Sequence, residues 1–116
     1  MAPFKNLAPS ILRQRLIIEA LTENLVTPEQ MVDYFKKLAE VVNMEIINGP
    51  QAYSAHELGF GGWVHWRTSG ATIYSYPCSP PLVTVDCYTC KPFDVAEAVK
   101  FTAKYFQTLK IVWQEI

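Results

Sequence analysis

The chain predicts an α+β domain: a two-layer α/β sandwich in which two helices cover one face of a mostly antiparallel sheet. Three observations carry this. Runs rich in β-branched and aromatic residues recur along the chain, two amphipathic stretches stand among them, and turn signals separate the pieces. With 116 residues, half of them hydrophobic, the chain fits a single domain over 1–116 that can bury a core without disulfides.

Arg15 to Leu21 (RLIIEAL) reads as the first strand. Thr27-Pro28-Glu29-Gln30 then opens a helix: Thr27 caps, Pro28 suits the first helical position and Gln30 completes a capping box. Met31, Tyr34, Phe35, Leu38, Val41 and Val42 follow at three- and four-residue spacing, which gives that helix one apolar face to lay on a sheet. Met44 to Ile47 begins a second strand, and Asn48-Gly49-Pro50 is a turn signal. GGWVHWR and ATIYSYP are two further strands, and Thr68-Ser69-Gly70 is the small polar joint between them. Alternation places Trp63, His65 and Arg67 on one face, with Val64, Trp66 and Thr68 on the other. Leu82 to Tyr88 is another strand. A second helix starts at Asp94, where Asp94 and Glu97 form a capping box and Ala98, Val99, Thr102, Tyr105 and Phe106 make the buried stripe. Lys110 to Trp113 closes the sheet.

Composition narrows the function classes. Ten Lys+Arg against eleven Asp+Glu leaves no basic excess for nucleic acid. The apolar runs fall short of the roughly 20 residues of a membrane span, and MAPFKNLAPS lacks the apolar stretch of a signal peptide. Three cysteines, an odd number, fit reduced thiols and a cytoplasmic protein. Cys87 and Cys90 have CxxC spacing, but strand alternation turns them to opposite faces, and only Cys78, His56 and His65 remain to complete a site, so no metal is expected. His65, between Trp63 and Trp66, reads as a half-buried packing residue. Antiparallel edge strands and the wealth of aromatic residues suggest a homodimer.

The stretch Gly59 to Asp94 resembles the self-cleaving core of the prokaryotic S-adenosylmethionine decarboxylases, a pyruvoyl-dependent family of polyamine (spermidine) biosynthesis. Arg15-Leu16-Ile17-Ile18-Glu19-Ala20 looks like that family's first strand, and Gly59-Phe60-Gly61-Gly62 looks like the loop before its processing strand. The resemblance puts Ser69 on the serine that becomes the pyruvoyl group, Pro77 on the proline closing the next strand, and Thr89-Cys90 on the pair that supplies the catalytic acid. It implies a catalytic set of Ser69, Cys90 and Tyr74. It also implies substrate contacts at Tyr76 and at Phe60, with Tyr53 the alternative to Phe60 as the ring that stacks on adenine.

The departures fall on the chemistry. The family reads Glu-Ser-His where this chain reads Thr68-Ser69-Gly70; its cleavage-promoting histidine is replaced by Tyr74, and its helper serine by Gly61. Cleavage needs the serine oxygen to attack the preceding carbonyl and the resulting ester to eliminate, with groups that move protons and stabilise an oxyanion. Glycine offers only backbone, and a phenol with pKa about 10 is a poor base near neutral pH. Each proton-transfer group typically contributes about 100- to 10,000-fold, so losing several predicts an intact chain. Cys78 stands where the family keeps a carboxylate for the ribose, which predicts weak binding of S-adenosylmethionine. Taken alone, Ser69 also fits an ordinary turn former, and Cys90 a small buried hydrophobe.

Two functions stay open. One is an unprocessed, catalytically impaired relative that acts as a binding or regulatory subunit for a small molecule or an active paralogue and has no cofactor. The other is an active pyruvoyl-dependent decarboxylase of S-adenosylmethionine or another amino-acid-like substrate, self-cleaving before Ser69.

Overall fold

The computed structural model describes residues 1–116. The elements follow the order β1 (Gln14–Leu21), α1 (Pro28–Val41), β2 (Ile46–Ser54), β3 (Phe60–Trp66), β4 (Ser69–Tyr76), β5 (Leu82–Thr89), α2 (Val95–Phe106) and β6 (Lys110–Glu115), with a 3₁₀ turn at His56–Leu58 that the sequence reading did not include. The six strands form one sheet in the order β2-β3-β4-β5-β1-β6. Every pairing is antiparallel, and both helices lie on one face.

Alternation decides which side chains meet the helices. Leu16, Ile18 and Ala20 of β1, Val64 and Trp66 of β3, Ala71 and Ile73 of β4, and Val83, Val85 and Cys87 of β5 are buried on that face. From α1 they receive Met31, Tyr34, Phe35, Leu38 and Ala39, and from α2 Ala98, Val99 and Phe106. Tyr34 is the hub between the helices. Its ring stacks on Phe101 at 5.6 Å, and its hydroxyl shares a 2.8 Å hydrogen bond with Thr102. Ser75, buried on β4, donates to the Val26 carbonyl at 2.8 Å and ties the sheet to the loop before α1.

Four local features differ from the sequence reading. Asn48-Gly49-Pro50 is not a turn but an irregularity inside β2, where the register slips between Ile46, Asn48 and Gln51. Gly49 at φ 82° and Pro50, which has no N–H, cannot follow the ladder, and an edge strand tolerates the interruption. The turn between β3 and β4 is Arg67-Thr68, closed by the Trp66–Ser69 pair, so Ser69 is the first strand residue after the bend and Arg67 leaves the face of Trp63 and His65. Asp94 caps α2 by accepting from the Glu97 amide at 3.1 Å, whereas the Glu97 side chain turns to Lys100 at 3.6 Å and does not complete a box. Val41, at the end of α1, is exposed.

Candidate functional site

The β3–β4 turn and the end of β5 meet at one corner of the sheet, and there the structure brings Ser69 and Cys90 together. Antiparallel register is the cause: Gly70 pairs with Tyr88, so the residue before one faces the residues just past the other. The Ser69 Oγ accepts from the Cys90 amide at 3.1 Å and lies 3.7 Å from its Sγ. Thr68, which the sequence placed in the turn and at the family's glutamate position but not beside Cys90, hydrogen-bonds the same sulfur through its Oγ1. Both hydroxyls favour the thiolate, Thr68 more than Ser69, and hold the Cys90 thiol below its ordinary pKa. Arg67 anchors the turn through a 3.0 Å ion pair with Glu45. Thr68 itself sits at φ 54°, a left-handed conformation that a β-branched residue rarely adopts.

Tyr74, Tyr76 and Phe60 lie elsewhere. Tyr74 is five residues along β4 from Ser69, about 17 Å at 3.4 Å per residue, and an odd offset turns it to the opposite face of the sheet. It stands on the face that no helix covers, cross-strand from Gly61. The space above Gly61 is filled by Tyr53: a Cβ built on Gly61 would lie 2.5 Å from the Tyr53 hydroxyl oxygen. The Tyr74 phenol is held above its ordinary pKa, first because the Tyr53 phenol disfavours its charged form and then by partial burial. Tyr76 is exposed at the far end of β4, and Phe60, cross-strand from Ser75, packs half-buried against the core.

The other cysteines are separate. Cys87 is buried under the helices, and burial pushes its thiol up to about 12, while Cys78 is exposed beyond β4. No three His, Cys, Asp or Glu side chains are grouped so as to hold a metal ion. No helix is long and apolar enough to cross a membrane.

On the uncovered face beside Ser69 a groove of about 530 Å³ runs across β3, β4, β5 and β1. Gly70 forms part of its lining, and His65, Thr72, Asp86, Tyr88 and Arg15 also border it. Period-two alternation places these side chains on one face, but which of them are neighbours depends on the strand order, which no local sequence signal carries.

A sequence model of the S-adenosylmethionine decarboxylase family matches residues 15–116. The chain belongs to the S-adenosylmethionine decarboxylase family. Its fold is similar to the crystal structure of the adenosylmethionine decarboxylase from Aquifex aeolicus VF5, with a TM-score of 0.74 and 19% identity over 91% of this chain and 89% of that one. No curated protein matches. The family is in general pyruvoyl-dependent, and Ser69, the residue that resemblance to the family marks for that group, is the residue found beside Cys90.

Proposed function

We propose that this chain is an unprocessed, non-catalytic member of the S-adenosylmethionine decarboxylase family, acting in the cytoplasm as a binding or regulatory subunit. The observation that carries the reading is that the positions matching the family's processing groups stand away from Ser69, in the Tyr53–Gly61–Tyr74 cluster about 17 Å along β4 and on the opposite face. The two positions matching the family's helper serine and cleavage-promoting histidine are occupied by a glycine lying under a tyrosine ring and by a phenol whose pKa is raised. A phenol in that state gives up its proton even less readily than an ordinary one, so it is a poor base near neutral pH. The Ser69 Oγ accepts from the Cys90 amide and donates to the Cys90 Sγ, and no imidazole takes part, which supports a serine that is held rather than activated. The test is carbonyl trapping: phenylhydrazine leaves the purified chain unlabelled if Ser69 is intact, and labelling at a new amino terminus at position 69 overturns the reading.

One observation favours an active decarboxylase that makes its pyruvoyl group from Ser69. Thr68 holds a strained left-handed backbone immediately before the serine, at the bond that self-cleavage would break, and strain of this kind costs about 1–3 kcal/mol. In that state the pyruvoyl group would supply the electron sink for decarboxylation. Cys90, with its thiol pKa lowered and its sulfur beside Ser69, would hold the proton returned to the product.

The partner proposed for either state is a second copy of the chain, with an active paralogue as the alternative. The outer edges of β2 and β6 have no strand beside them, and Tyr53, Tyr74, Tyr76 and Val112 are exposed. Light scattering coupled to size exclusion is expected to give about twice the 13.2 kDa chain mass, and a monomer at high concentration contradicts the homodimer.

A further inference from the structure

We propose that residues 1–13 form a strap that closes over the groove of the uncovered face, with Phe4 seated in the gap that Gly70 leaves between His65 and Tyr88. The inference goes beyond the reading above, because it concerns access to the groove and holds whether or not Ser69 is cleaved.

The register builds the socket. His65 pairs with Gly70, Gly70 with Tyr88 and Tyr88 with Arg15, so the four stand in one row across β3, β4, β5 and β1 on the uncovered face. Only Gly70 lacks a side chain. A Cβ built there would stand 2.8 Å from the Val64 carbonyl oxygen, a backbone atom, so the position keeps its gap, and the edge of the His65 ring, 3.4 Å from the same Cβ, walls one side. His65 and Tyr88 are two strand spacings apart, about 9.5 Å, so a ring midway has a neighbour at about 4.7 Å on either side, within the range of aromatic pairs. The gap takes a third ring.

Phe4 stands at the end of this row. The centroid of its ring lies 5.6 Å from the Arg15 guanidinium carbon, which in turn lies 5.1 Å from the centroid of Tyr88. Passing from Arg15 to Gly70 moves the ring two strand spacings, about 10 Å, and residues 5–13 can span about 30 Å. Reach is not limiting. The strap is braced from within: Asn6 Oδ1 accepts from the Ala8 amide at 2.9 Å, and Arg13 donates to the Asn6 side chain and to the Ala8 and Ile11 carbonyls. No hydrogen bond ties residues 1–12 to the sheet, and Phe4 is 75% exposed, so the ring moves without breaking one. Entering the gap removes its apolar face from water. The family match begins at residue 15, so the strap precedes the shared fold.

The test is the accessibility of His65 in the full chain. Diethylpyrocarbonate acylates exposed imidazoles, peptide mass spectrometry separates His65 from His56, and His56, in the turn before β3, is the internal control. In Phe4→Ala the His65 rate is expected to rise about threefold or more, as it does when a strap closed in about two-thirds of the molecules is lost, while Phe4→Trp keeps the parent rate and His56 is unaltered in both. NOEs from the Phe4 ring to the Gly70 Hα protons are expected in the parent. Phe4 is exposed, so an unchanged amide spectrum away from the groove checks the fold, and the intact mass of each sample records the processing state separately. His65 reacting at the parent rate in Phe4→Ala, or ring NOEs confined to Arg15 and Tyr88, overturns the proposal. Protection of His65 that fades on dilution overturns it too, because it places the strap of a second copy in the gap.

Discussion

At the scale of single residues, Cys90 is set apart from the other thiols by two hydroxyls. Thiolate is the reactive form, so a pKa below the ordinary value moves the onset of alkylation to lower pH. In a Cys78→Ser background, where the remaining Cys87 is buried with its thiol pushed up to about 12, iodoacetamide should report Cys90 alone. The rate should rise with pH through a midpoint below that of a free thiol. Thr68→Val should move the midpoint upward, because Thr68 makes the larger contribution. A midpoint unaltered by Thr68→Val would contradict the hydrogen bond. Some of this was legible in the sequence. Ser69 and Cys90 could be named from resemblance, but Thr68 could not, because its contact depends on the turn being Arg67-Thr68 rather than one residue later.

Tyr53 and Gly61 show the same limit from the other side. Tyr53 reaches Gly61 only because β2 resumes its pairing after the slip at Asn48-Gly49-Pro50. A sequence in which those three residues read as a turn gives no such neighbour.

At the scale of elements, the β3–β4 hairpin is tighter than its glycines suggest. Gly70→Ala places a Cβ 2.8 Å from the Val64 carbonyl oxygen, a backbone atom that cannot swing aside. The expected loss is about 1–3 kcal/mol in urea unfolding, the usual cost of overpacking. A variant as stable as the parent would show that β3 and β4 separate freely. The same geometry bears on restoring self-cleavage. Thr68→Glu, Gly70→His, Tyr74→His and Gly61→Ser together return the family's residues, yet Gly61→Ser meets the Tyr53 hydroxyl at 2.5 Å. Gly70→His likewise meets the Val64 carbonyl oxygen at 2.8 Å, and position 74 lies about 17 Å along β4 from Ser69 on the opposite face, so the four changes together should leave the chain intact. Cleavage of the four-fold variant during prolonged incubation would contradict this.

The elements were largely legible from sequence. Both helices announced themselves through caps and three- to four-residue spacing, and the Thr27–Gln30 box is present in both directions, at 3.2 and 2.9 Å. The strands were legible because half-buried alternation is a strong pattern. What escaped was β2 beyond Ile47, where glycine and proline imitate a turn while the chain continues along the sheet edge.

At the scale of the whole molecule, the architecture keeps the core apart from the candidate site. The helix face holds the core, and substitutions there would cost stability. Ser69 and Cys90 lie at a corner of the sheet and the groove on its uncovered face, away from the core between sheet and helices. The class of fold was legible from the order of strands and helices, and its assignment is supported by the match over residues 15–116 and by the Aquifex aeolicus structure. The strand order β2-β3-β4-β5-β1-β6 was not, because the non-local pairings of β1 with β5 and β6 leave no local sequence signal.

The central claim, that this family member keeps its chain whole, is tested most directly by denaturing mass spectrometry of the purified protein after prolonged incubation at neutral pH. A single species at the full 13.2 kDa is the expected result. Two fragments divided between Thr68 and Ser69, the second beginning with a pyruvoyl group, would contradict it.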